Sequence, residues 1–191
     1  NVLLPDNEVT QNILRSSGVY YIYGEITPGS LLGIHQDVLL KHFLGKEKWS
    51  RPLTFIINSP GGDIAETNAL IDLLDNIPLE IKTVGLGECS SCGAILLASG
   101  SKGHRTAGPN TSIMIHTYSW GTEGKHHELV AARQSQDAMY KQQIDFWIRH
   151  SKYTTKNQVE KYLLSKEDRY FTAPQALEHG IIDKISSVIP K

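Results

Sequence analysis

KTVGLGECSSCGAILLASG, residues 82–100, is the stretch from which the rest of the chain can be read. An apolar run from Ile81 to Leu86 crosses Gly87 and small polar residues, after which Ala94 to Ala98 recur at helical spacing; this predicts strand, tight turn, helix. Such a turn holds a side chain above free backbone N–H groups, where the helix dipole favours developing negative charge. Gly87 allows the change of direction, and Gly93 leaves room for another backbone or a substrate. Ser91 is therefore a candidate nucleophile, provided that a base and an orienting acid come from elsewhere in the chain. A serine at a helix start is more commonly an N-cap, and spacing alone does not separate Ser91 from Ser90.

Similar units surround this one. Val19–Tyr23 reads as a strand closed by Gly24, and a helix with Leu31, Ile34, Val38, Leu39 and Phe43 mostly on one face runs on to Gly45. Leu53–Ile57 is a short strand broken by the loop NSPGGD at 58–63, and Ile64–Asn76 returns to helix. Strand, glycine turn and helix recurring through the first hundred residues predict an α/β fold with a parallel sheet and crossover helices. Further on, Ser112–His116 reads as a strand and Tyr118–Lys125 as a Gly-containing loop. Lys125–Ser151, free of Gly and Pro, reads as one long helix, part of which should project onto another subunit. Capping boxes at Thr155/Gln158 and Thr172/Gln175 bound two short helices, and Ile181–Ile185 closes the chain as a strand. Residues 1–17 read as a loosely held arm, and the charged segment Ser165–Phe171 as a loop.

At 191 residues and a net charge of −1, the chain suits a single domain and offers no bulk field for nucleic acid or an anionic membrane. It contains no apolar run long enough to span a bilayer, and its start at Asn1 suggests trimming or processing. The two cysteines, Cys89 and Cys92, form C-x-x-C. A zinc site would need two more ligands at a familiar spacing, which are not supplied, so two small buried thiols are the favoured reading. A bond between them, if the side chains met, would bend the elbow and make the site sensitive to oxidation.

His116, at the end of the Ile113–Ile115 run, is the best base on offer, because a strand end beside a loop is where a sheet presents site residues. Chemistry alone leaves Asp63, Asp168 and Asp183 open as the acid. The two glycines after Pro60 make a candidate oxyanion platform.

Four segments taken together, NSPGGD at 58–63, GECSSCGAILLASGSKGHR at 87–105, PNTSIMIHTYSWG at 109–121 and EDRYFTAPQALEHGIIDKI at 167–185, resemble ClpP, the proteolytic subunit family of the Clp proteases. The resemblance spans Val19 to Ile185 and implies a ClpP/crotonase-like spiral of strand-turn-helix units. In that reading 1–18 is an N-terminal arm, 19–191 a single peptidase domain, and the region of about 117–151 the projecting handle. It implies Ser91 as nucleophile, His116 as base and Asp168 as acid, with the backbone N–H groups of Gly62 and Cys92 as oxyanion donors. It further implies a serine endopeptidase working inside two stacked heptameric rings. The chain would bind no cofactor, metal, nucleic acid or membrane, and ATP would be used by a partner AAA+ unfoldase or its adaptor. The compartment implied is the cytoplasm, or an organelle lumen if a targeting segment was removed.

Some positions depart from the family pattern. The elbow reads Cys89-Ser90-Ser91-Cys92 in place of the usual Ala-Ala-Ser-Met, His116 is followed by Thr117-Tyr118, and Lys166 precedes Glu167 in reversed charge order. Thr54 and Ile56 stand where aromatic residues usually receive the unfoldase, which predicts weak docking of a typical partner. Two rival readings are a non-catalytic ring subunit and a crotonase-type acyl-thioester enzyme; only an active peptidase requires Ser91, His116 and Asp168 together.

Overall fold

β-branched and aromatic runs bounded by glycine build the sheet, and the amphipathic stretches between them cross over its faces. The computed structural model describes residues 7–45, 49–119, 121 and 123–187. In chain order the elements are α1 (Asn7–Ser16), β1 (Val19–Tyr23), α2 (Leu32–Leu44), β2 (Leu53–Ser59), α3 (Ile64–Asp75), β3 (Ile81–Ser90) and α4 (Cys92–Ala98). There follow β4 (Arg105–Ala107), β5 (Ser112–Ile115), α5 (His126–His150), α6 (Lys156–Tyr162), β6 (Arg169–Thr172), α7 (Ala173–Glu178) and β7 (Lys184–Ile185). Seven strands form one sheet in the order β1-β2-β3-β4-β7, with β5 pairing to β3 and β6 to β5. All pairs are parallel except β5–β6. The expected α/β architecture of repeated strand-turn-helix units is therefore present.

The sheet buries one face fully and the other only in part: Leu53, Phe55 and Ile57, alternate residues of β2, are almost wholly enclosed, while Tyr21 and Tyr23 of β1 stay exposed. Every residue of α4 is buried, so the helix behind the serine elbow runs through the core.

Several boundaries differ from the sequence reading. β3 does not stop at Leu86: Gly87, at φ +70°, bends it, and the strand continues to Ser90 by exchanging its partner β4 for β5. The N-terminal arm contains helix α1, whose Arg15 guanidinium lies over Gly33 of α2. Val9 and Ile13 stay exposed, so this helix brings no apolar stripe into the core. Strand β6 occupies part of the expected charged loop, the three-residue β4 adds a strand to the sequence reading, and the last strand is only Lys184–Ile185. The Thr172/Gln175 box forms, whereas at Thr155 only half does: Gln158 N–H donates to Thr155 Oγ1, but the Gln158 side chain accepts from Thr154 N–H.

The long helix spans His126–His150, about 38 Å at 1.5 Å per residue. Its first two thirds are largely exposed, and only the last turns, with Gln143, Ile144, Phe146 and Trp147, enter the core. There His150 stacks on Phe146 at a centroid distance of 4.3 Å, and its Nδ1 lies 3.0 Å from the Ala98 carbonyl. Burial, with Arg149 and Arg105 nearby, pushes this imidazole down from 6.5 to about 4. Between those values the unfolded chain takes a proton that the folded chain refuses. The contribution of neutral His150 is thus complete above pH 6.5 and is lost as pH falls toward 4. Urea midpoints measured from pH 7 to 4 are expected to fall more steeply for the wild type than for His150→Gln, the difference approaching about 3 kcal/mol. Parallel curves would refute this.

Candidate active site

The partner exchange of β3 creates the site. Its second half lies against β5 in the register Glu88↔Ser112 and Ser90↔Met114, and Ser91 N–H donates to Met114 O at 2.8 Å. Ser91 then turns the chain into α4 with φ 54° and ψ −119°, the one positive φ at a non-glycine among the described residues. Such a conformation costs about 1–3 kcal/mol and persists because the structure on both sides dictates it.

The antiparallel pair β5–β6 supplies the partners. Its register sets Ile115 opposite Arg169 and Met114 opposite Tyr170, so one step further His116 faces Asp168. His116 Nε2 lies 2.8 Å from Ser91 Oγ, and His116 Nδ1 lies 3.7 Å from Asp168 Oδ1. The second separation exceeds a hydrogen bond, and the Asp168 side chain is 53% exposed. A shift of roughly 1 Å brings the carboxylate into bonding range. Arg169 steadies the adjoining loop through Ser165 Oγ and Lys161 O.

The alternatives left open by spacing are engaged elsewhere. Ser90 is buried and donates its hydroxyl to Glu88 Oε1 at 2.8 Å. Asp63 caps α3 by accepting Glu66 N–H. Asp183 accepts from both Nε and Nη2 of Arg105.

Gly61 and Gly62 lie against the elbow. A Cβ on Gly61 would stand 2.7 Å from Ser90 O and 2.9 Å from Cys92 N, so only glycine admits this approach. Gly61 N–H is engaged by Ser59 Oγ at 3.0 Å, while the Gly62 carbonyl accepts the Cys92 thiol at 3.3 Å.

The cysteines are free and buried. Cys89 donates to Ile57 O and Cys92 to Gly62 O, so the thiols face different strands and turns. Burial pushes Cys89 up to about 12 and raises Cys92 as well, which withholds the thiolate that oxidation needs. The expected oxidative switch is therefore disfavoured by this geometry. Among the described residues no group of three His, Cys, Asp or Glu side chains could hold a metal ion.

One contributor had no sequence signal. Gln143, in a helix rich in glutamine, is buried and donates to the His116 carbonyl at 2.8 Å. The root of the long helix thus holds the histidine. Beside the elbow, Ile71, Ile95, Tyr118 and Phe146, rimmed by Asn68 and Arg149, line a recess of about 180 Å³.

A serine on a strained elbow with an imidazole at hydrogen-bond distance and a carboxylate behind it is the arrangement of a serine hydrolase. The Clp protease family model matches residues 7–188. ATP-dependent Clp protease proteolytic subunit 2 of Thermobifida fusca (strain YX) is 37% identical over 149 residues, 77% of this chain and 71% of that protein. The chain belongs to the Clp protease family, and it is a serine peptidase of the ClpP type. The family implies oligomeric assembly in the setting of an ATP-dependent protease. No helix among the described residues is long and apolar enough to cross a membrane.

Proposed function

We propose that Ser91, His116 and Asp168 are the catalytic triad of this peptidase and that the N–H groups of Gly62 and Cys92 form its oxyanion hole. The observation that carries the reading is the 2.8 Å contact between Ser91 Oγ and His116 Nε2. Ser91 Oγ attacks the peptide carbonyl while His116 Nε2 takes its proton, and the oxygen that gains charge is held by the two N–H groups. Collapse expels the amine, protonated by His116; water then repeats the sequence on the acyl-serine. Asp168 holds the imidazole with Nδ1 protonated.

Two stacked seven-membered rings, with the exposed length of α5 meeting its counterpart, suit a helix whose outer turns are left exposed by the described residues of their own chain. Lys166 and Glu167 enter no ion pair among the described residues of this chain, which leaves them for a contact between rings. An AAA+ unfoldase or adaptor would deliver substrate and spend the ATP, and the chain itself would need no cofactor. Thr54 is buried and Ile56 half-buried, so β2 offers such a partner no aromatic wall. Tyr21, the register partner of Ile56, and Tyr23 expose their rings on β1 instead, 5.7 Å apart.

A fluorophosphonate probe is expected to label one serine per chain, at Ser91, and to fail with His116→Ala. Labelling at Ser90, or undiminished labelling without His116, would overturn the assignment.

A further inference from the structure

We propose that Glu66 is a positioning residue for the Gly62 N–H, acting from outside the site through the backbone of Ile26. This deepens the reading of Gly62 as an oxyanion donor and rests on it.

Gly61 and Gly62 are held between two backbones. On one side stands the elbow, with Ser91 Cβ only 2.8 Å from where a Cβ on Gly61 would be. On the other stands Ile26, whose carbonyl oxygen would be 2.0 Å from a Cβ on Gly62. Ile26 N–H donates to Gly61 O at 2.8 Å, and Asp63 N–H donates to Ile26 O at 2.7 Å. The direction of the intervening Gly62 N–H therefore follows the position of Ile26.

Ile26 lies beyond the end of β1, on a segment that turns through Thr27–Leu31 before α2 begins. Glu66 closes that turn. Its Oε1 accepts Leu31 N–H at 2.8 Å and its Oε2 accepts Gly29 N–H at 3.1 Å. Glu66 itself stands on the first turn of α3, where its own N–H donates to Asp63 Oδ1 at 2.8 Å. A closed circuit results, running from Gly62 through Asp63, Glu66, Leu31 and Ile26 back to Gly62. A carboxylate at a helix start is favourable wherever it points. Here both of its oxygens are committed to another segment, as charge-assisted bonds.

Loss of the clamp should act on an interaction made in the transition state, and therefore on kcat more than on KM. In the full chain, with active sites counted by fluorophosphonate titration, Glu66→Ala is expected to lower kcat about tenfold to a hundredfold while KM stays within about threefold. Glu66→Gln keeps one acceptor of the same reach but sets its NH2 against the second N–H, and should fall between alanine and wild type. Glu66→Asp keeps the charge at the helix start but is too short to span, and should resemble alanine. Unchanged kcat per titrated site for Glu66→Ala, even with a lower unfolding midpoint, would overturn the proposal, as would Glu66→Asp matching wild type. Full activity in Ser91→Ala would instead remove the reading beneath it, so the two failures are distinguishable.

Discussion

Replacing Ser91 with alanine is expected to abolish peptide hydrolysis while leaving the fold and the native mass unchanged. The residue already holds a positive φ of 54°, and alanine in its place meets the same backbone strain with the same Cβ. Only the hydroxyl is lost, and with it the contact to His116 Nε2. Removing one member of a nucleophile–base pair typically costs several orders of magnitude in rate, because the remaining groups act only as part of the unit. Initial rates on a fluorogenic peptide, together with native mass, check this. Ser90→Ala is the control: its buried hydroxyl bonds to Glu88, so its loss should cost about 1 kcal/mol of stability and leave the rate within a few-fold. Turnover by Ser91→Ala within tenfold of wild type, or a folded but inert Ser90→Ala, would reassign the nucleophile.

The largest expected loss of stability is at Arg105. Its side chain is 5% exposed and makes a two-pronged contact with Asp183, at 2.6 Å from Nη2 and 2.9 Å from Nε, while Nη1 donates to His150 O at 2.6 Å. The guanidinium thus joins β4, the loop before β7 and the end of α5. Burial alone would raise the Asp183 carboxyl, but the hydrogen bonds from Arg105 and from Gly103 N–H outweigh it and hold the group below the ordinary aspartate range. Arg105→Ala leaves that carboxylate half-enclosed and without its cation, and also strips the His150 carbonyl of a donor. A loss of about 3–5 kcal/mol is expected, a large share of the stability of a typical domain. Urea unfolding measures it. Because most of the cost is the orphaned charge, Arg105→Ala with Asp183→Ala should lose less than the sum of the single changes. Additive losses, or a single-variant loss under 1 kcal/mol, would show that the pair is not the fastener described.

Local sequence determined a good deal of this protein. The alternation of apolar runs and glycine turns specified the strands, because a short β-branched or aromatic run bounded by turn residues suits a strand. The absence of Gly and Pro from 126 to 150 specified the long helix, and the Thr172/Gln175 box specified where α7 begins. The four linked motifs carried the family. Other features were invisible for physical reasons. Helix α1 buries no apolar stripe, and strand β6 is short, charged at its start and held in place by pairing with β5 rather than by its own composition. Ser90 and Ser91 are chemically identical in the sequence, as are the carboxyls of Asp63, Asp168 and Asp183. Which serine meets the imidazole, and which carboxylate faces it, follows from pairing register, and register is a property of two strands rather than one. The exchange of β3 from β4 to β5 places Ser91 beside the end of β5, and the antiparallel step from Ile115/Arg169 sets His116 across from Asp168. Gln143 meets the His116 carbonyl, and Glu66 the turn before α2, only because residues 27 to 37 positions away in the chain are folded against them, a distance at which no local pattern carries information.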